Sequence, residues 1–213
     1  MITPFQLHLD EKTGNTTVLI GSSKMGKTTL LMEIFKDNYN TKNYITTLFA
    51  WNHHIALYGK NPRLLKFPAD LECSNEKMVS YIAIEKSINT KTNNKYNFVN
   101  FFDDVIDVRY NKMVNNSLLT LRNSNISTVV SLQYSNLLSK MARSNVNNVI
   151  LFGLNTDEAI DCAVKTFLKS IFKEKFGLRP AEMVNFYKTV TADHKFIYLR
   201  PAENTISFHK ISV

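Results

Sequence analysis

Cysteine is nearly absent: 213 residues carry only Cys73 and Cys162, far apart and without metal-binding spacing. That excludes a site built on clustered cysteines and points to a reduced, intracellular compartment. Also missing is any stretch rich in Pro, Gly or Ser that would act as a linker, and there is no internal repeat. One domain spanning 1–213 is the expectation, long enough to bury a core without covalent staples. No uninterrupted apolar run is long enough to cross a bilayer. The first residues, Met1-Ile2-Thr3-Pro4-Phe5, lack the charged and apolar regions of a signal peptide. The chain is therefore expected to be soluble, with no direct membrane insertion.

What is present is an ordinary globular composition with a formal net charge of +8. The charge fits a polyanionic partner, and fits equally a lysine-rich solvated surface, because the lysines are scattered. Apolar β-type runs are expected as strands at Thr16 to Ile20, Tyr44 to Ala50, Tyr96 to Phe102, Ile126 to Leu132 and Val146 to Phe152. A short strand is expected at Arg63 to Phe67. Helical spacing marks Thr28 to Lys36, Glu76 to Ile88, Val108 to Leu121 and Asp157 to Phe176, the last stopped by Gly177 and Pro180. Leu137 to Ala142 reads as a short helix or turn. Lys195 to Leu199 and Thr205 to His209 read as a terminal hairpin. Alternating strands and helices predict an α/β fold, with a mainly parallel central sheet and helices on both faces.

Between the first strand and first helix, Gly21-Ser22-Ser23-Lys24-Met25-Gly26-Lys27-Thr28 matches G-x-x-x-x-G-K-[ST] in full. Gly21 and Gly26 permit backbone angles that a side chain forbids. The loop can then aim consecutive N–H groups at phosphate oxygens, aided by the positive end of the following helix. Lys27 would meet the β- and γ-phosphates of ATP, and Thr28 would give its hydroxyl to Mg²⁺. Thr29 could donate to the α-phosphate.

Further on, Val99 to Phe102 is followed by two acids, Asp103 and Asp104. Adjacent acids at a strand end repel unless a cation or proton lies between them. Asp103 is the candidate for Mg²⁺, and Asp104 for the general base that polarises water. Asp107 is a poorer candidate. Gln133 ends the Ile126 strand, at the carboxyl end where α/β sheets face their ligands. It could contact both the γ-phosphate and the attacking water. Arg122 and Arg143 flank that strand; either could reach a phosphoryl group across a subunit boundary, and either could instead be a surface arginine, the simpler reading for any one of them.

The order G-S-S-K-M-G-K-T-T, F-F-D-D, I-S-T-V-V-S-L-Q-Y and R-S-N-V-N-N-V-I-L-F resembles the FtsK–HerA superfamily of DNA-pumping ATPases. Within it, the chain looks most like the poxvirus-type virion DNA-packaging ATPases. The resemblance covers roughly Thr16 to Phe152. It implies a RecA/ASCE-like P-loop NTPase fold with the Asp103 and Gln133 strands beside the loop strand. It implies a motor that hydrolyses ATP to move double-stranded DNA into a capsid. Its expected setting is a homo-oligomeric ring, a pentamer or hexamer, in the virion or the host-cell cytoplasm. Capsid or membrane proteins of the virion are further expected partners. By the same resemblance Lys27 and Thr28 take phosphate and metal roles, Asp103 the metal, Asp104 the catalytic acid and Gln133 the sensor. Two departures stand out. Many relatives carry a Gly-Arg-His type element where this chain has Leu121-Arg122-Asn123. Others in the superfamily use Glu in place of Asp104, whose shorter reach implies action through a rearranged water.

Trp51, His53 and His54 read as a partly buried aromatic with loop histidines. Lys165, Lys169, Lys173 and Lys175 suit either a DNA channel or the solvated face of an amphipathic helix, the second being the simpler reading. Two other function classes are a P-loop small-molecule kinase and a nucleotide-switched scaffold. Against the kinase stands the lack of an arginine-rich lid. Against the scaffold stand Lys27, Asp103 and Asp104.

Overall fold

A strand buried on both faces needs apolar residues at nearly every position, and a helix lying on it needs one apolar stripe. Both patterns recur along the chain. The computed structural model describes residues 13–39, 44–50, 71–72, 75–104 and 111–211, with Phe5, Leu7 and Leu9. The elements in order are β1 (Thr16–Ile20), α1 (Lys27–Tyr39), β2 (Tyr44–Ala50), β3 (Leu71–Glu72), α2 (Asn75–Lys91) and β4 (Asn97–Asp103). Then come α3 (Asn111–Thr120), β5 (Ile126–Leu132), α4 (Lys140–Ser144), β6 (Asn148–Leu151), α5 (Asp157–Ala163), α6 (Lys169–Phe176), α7 (Pro180–Val190), β7 (Lys195–Arg200) and β8 (Thr205–Lys210).

The described strands form one eight-stranded sheet in the order β3-β2-β4-β5-β1-β6-β7-β8. All pairings from β3 to β6 are parallel, and the terminal hairpin β7–β8 adds antiparallel strands at one edge. β5 lies directly beside β1, while β4 is one strand further out. The expectation that both strands stand beside the loop strand therefore holds for Gln133's strand, and the Asp103 strand is next but one.

Side chains alternate across the sheet and define two cores. On one face Leu19, Val99, Phe101, Val129 and Ile150 meet Leu30, Leu31, Ile34 and Phe35 of α1, with Leu7, Leu9 and Ile211. Phe35 meets Phe101 edge-on at 5.1 Å. Each such fully buried side chain contributes about 1.5–3 kcal/mol. On the other face Val18, Ile20, Phe102, Val130, Leu132 and Val149 pack against side chains of α2 to α7.

The predicted Asp157 to Phe176 helix is continuous but carries a π turn at Val164–Leu168 between α5 and α6. Gly177, at φ 64, does end it, accepting the left-handed step that follows a helix. Pro180 does not stop anything. It is the first residue of α7, a helix the periodicity did not suggest. Pro suits that position because its missing N–H would be unpaired there anyway. Glu182 completes the start by accepting from the Arg179 N–H at 2.8 Å. Leu137 to Ala142 divides into a 3₁₀ turn, Ser135–Leu137, and α4, because Ser139 caps α4 by accepting from Ala142 N at 3.1 Å. Arg63 to Phe67, Trp51, His53, His54, Asp107 and Val108 lie outside the described residues. Lys165 in the π turn and Lys169, Lys173 and Lys175 on α6 are all exposed.

Candidate functional site

In a parallel sheet the strand ends that point the same way bring their following loops together. Here the carboxyl ends of β1, β5 and β4 are neighbours. They carry the glycine loop, Gln133 and the Asp103-Asp104 pair.

The loop leaves β1 tied to its neighbours. Gly21 N donates to Leu132 O at 3.1 Å and Ser22 N to Gly153 O at 3.0 Å. The Ser22 hydroxyl accepts from Asn155 N at 2.9 Å. Gly26 has φ +98, so its angle does demand glycine. Gly21 is needed for a different reason than its backbone angle: a Cβ there would lie 2.6 Å from the Phe152 Cβ. Lys24, at φ 65, takes a left-handed step without being glycine. Ser23 and Lys24 are exposed, while Met25 turns inward against Gly153.

Lys27 and Thr28 open α1. Lys27 is only 6% exposed. Its Nζ donates to Ser22 O at 2.9 Å, folding the ammonium over the loop's own carbonyl. Burial pulls its pKa below the usual lysine value, against the opposing pull of Asp104 and Asp103. A phosphate at this point would supply the negative charge that a buried ammonium lacks.

Asp103 is fully buried and points to the α1 face, where Thr28 Oγ1 donates to its Oδ1 at 3.4 Å. Asp104 has φ 52, and this left-handed step turns it away from its neighbour. Gln133 Nε2 donates to Asp104 Oδ2 at 3.1 Å. The two adjacent acids thus have separate partners, one on the glycine-loop helix and one on the glutamine. Thr28 and Asp103 together offer hard oxygen donors of the kind Mg²⁺ takes.

A cleft of about 300 Å³ opens beside the loop, lined by Lys24, Gly26, Lys27, Thr28, Thr29, His194 and Ile211. His194 and Ile211 were not foreseen. They sit at the α7–β7 turn and just past β8, joined by Ile211 N donating to His194 O at 3.2 Å. Nothing near them in sequence marks a nucleotide site.

The two arginines lie elsewhere. Arg122 is exposed in the 3₁₀ turn before β5, at the opposite end of that strand from Gln133. Seven strand residues separate the ends by roughly 20 Å. Arg143 lies in the last turn of α4, with Nη1 donating to Thr166 Oγ1 of the π turn at 3.3 Å. The nearby Asn145 O accepts from Thr16 Oγ1, which also puts Arg143 toward the amino end of the sheet. Neither arginine lines the cleft of its own chain.

A glycine loop between strand and helix, with the glutamine-bearing strand inserted before the acid-bearing strand, defines this as a P-loop NTPase fold. Solved structures of that fold are similar over 73–93% of this chain. The genome packaging NTPase B204 from Sulfolobus turreted icosahedral virus 2 in complex with AMPPCP has TM-score 0.63 and 15% identity, covering 93% of this chain and 98% of that chain. The DNA-packaging ATPase B204 from Sulfolobus Turreted Icosahedral Virus has TM-score 0.59 and 14% identity, with the same coverage. EssC (ATPases 2 and 3) from Geobacillus thermodenitrificans has TM-score 0.52 and 13% identity, over 73% of this chain and 34% of that chain. At these identities the likeness is one of fold. The packaging ATPases that the motifs resemble are thus also what this fold is similar to. No family model matches the sequence, and no curated protein matches it. Among the described residues, no helix is long and apolar enough to cross a membrane.

Proposed function

We propose that this chain binds ATP with Mg²⁺ at the glycine loop, hydrolyses it, and uses the energy to drive double-stranded DNA into a preformed capsid. The observation that carries the hydrolytic part is the Gln133–Asp104 hydrogen bond beside the Thr28–Asp103 pair. It divides the labour. Thr28 and Asp103 would hold the Mg²⁺, which neutralises phosphate charge. Lys27 leaves the Ser22 carbonyl for the phosphate oxygens. Gln133 orients Asp104, and Asp104 accepts the proton of the attacking water.

The packaging part rests on fold likeness to NTPases named for that task, on the motif resemblance, and on the net charge of +8. A homo-oligomeric ring, pentameric or hexameric, would let Arg122 or Arg143 serve the cleft of a neighbouring subunit, since neither reaches its own. Capsid or membrane proteins of the virion would dock it, in the virion or the host-cell cytoplasm. The test is ATP hydrolysis with and without double-stranded DNA at low salt. Stimulation by DNA that weakens as salt rises is expected. Hydrolysis indifferent to DNA, with phosphate passed to a small acceptor, would replace the motor with a kinase.

A further inference from the structure

β5 is buried along its whole length, and its side chains alternate between the two cores. Ile126, Val130 and Leu132 face α2 to α7, and Val129 faces α1. Ser131, two residues on from Val129, also faces α1. Its register partners are Asp103 on β4 and Leu19 on β1. Ser131 is fully buried, and its hydroxyl has no hydrogen-bond partner. An orphaned buried hydroxyl is destabilising, a cost that alanine or valine would avoid. In a helix, serine can satisfy itself on the backbone one turn back, but a strand offers no such acceptor. Among the described residues the buried hydroxyls of Thr46 and Thr128 also lack a partner. Neither is in register with a carboxylate.

We infer that Ser131 is a positioning residue of the Mg²⁺ site, acting through Asp103 and a metal-bound water. The inference rests on the nucleotide reading above. A hydroxyl both donates and accepts. With the cation in place, Ser131 would donate to the Asp103 carboxylate and accept from one of the waters that protein-bound Mg²⁺ keeps. The hydroxyl is unsatisfied only until the cation arrives. It lies where no motif would flag it, two residues before the sensor glutamine.

The experiment compares wild type, Ser131→Ala and Asp103→Asn by thermal unfolding without ligand, with ADP, and with ADP across a Mg²⁺ titration. Mn²⁺ binding to the ADP complex, followed by electron paramagnetic resonance, gives a second readout independent of turnover. Ser131→Ala should unfold at the wild-type temperature or higher without ligand, and its response to ADP alone should be unchanged. Its half-saturating Mg²⁺ and Mn²⁺ should rise by about 10-fold, the usual cost of losing a residue that supports a metal ligand. In the Asp103→Asn background the alanine should add nothing. A wild-type metal response left intact by Ser131→Ala overturns the serine assignment alone. A lower unfolding temperature for ligand-free Ser131→Ala also overturns it, since the hydroxyl then has a structural partner. No metal response in the wild-type protein overturns the nucleotide reading and this inference together.

Discussion

Replacing Glu85 by Gln should stabilise this protein above neutral pH and leave it nearly unchanged in acid. Glu85 lies on α2, 4% exposed, pressed against the sheet. Its Oε1 accepts from the Thr47 hydroxyl at 3.2 Å and its Oε2 from Asn100 Nδ2 at 2.6 Å. Two hydrogen bonds do not offset the loss of water, and burial raises the carboxyl from 4.5 to about 7. The folded state therefore holds the proton more tightly than the unfolded chain. Its contribution to stability is complete below the unfolded value and is lost as pH rises through about 7. Above that, the charged carboxylate costs about 3 kcal/mol relative to the neutral acid. Glutamine keeps both contacts, accepting from Asn100 and donating to the Thr47 oxygen, and never ionises. At pH 8 the variant should gain about 2–3 kcal/mol, a rise in melting temperature of about 5–10 °C for a chain of this size. At pH 5 the two proteins should melt within a degree or two of each other. Urea or thermal unfolding at both pH values measures this. An equal difference at both, or a less stable variant at pH 8, would refute the assignment of a buried carboxyl that prefers its proton.

Other consequences concern the cleft. Lys27→Ala should abolish phosphate release while leaving the fold intact, because burial already disfavours the charge it removes; wild-type turnover in that variant would refute the site. Asp104→Asn and Gln133→Ala should each lower kcat by about 10²–10⁴-fold with little change in ATP affinity, measured by single-turnover hydrolysis and nucleotide titration. Because Gln133 acts through Asp104, the double variant should be no slower than Asp104→Asn alone.

How much of this was legible beforehand follows from how local each feature is. The glycine loop is eight contiguous residues whose job depends on its own backbone and the helix it starts. Sequence alone was therefore enough to mark the loop as the candidate phosphate site. It also determined the strand from Tyr44 to Ala50 and the one from Ile126 to Leu132, whose apolar runs leave no other structure able to bury them. The hairpin at the end was equally plain. The acids at Asp103-Asp104 and the glutamine at 133 could be marked as candidates because strand ends in α/β sheets face ligands. Even so, the reason for Gly21 was misjudged. Its need is for space beside Phe152, a contact made across 131 residues.

What only the tertiary structure decided is what depends on strand order and on side chains meeting across long separations. Sequence gives no order for parallel strands, because each strand offers the same backbone groups to any neighbour. Placing β5 between β4 and β1 is what lets Gln133 meet Asp104. It also puts Ser131 next to Asp103 and both arginines at the far end of the sheet from their own cleft. His194 and Ile211 reach the glycine loop only because the chain returns to that edge after α7. The left-handed step at Asp104, which separates two adjacent acids onto different partners, is a property of the packed loop. Short-range periodicity records which face of a strand or helix is apolar, and packing alone determines which polar groups are brought within hydrogen-bonding reach.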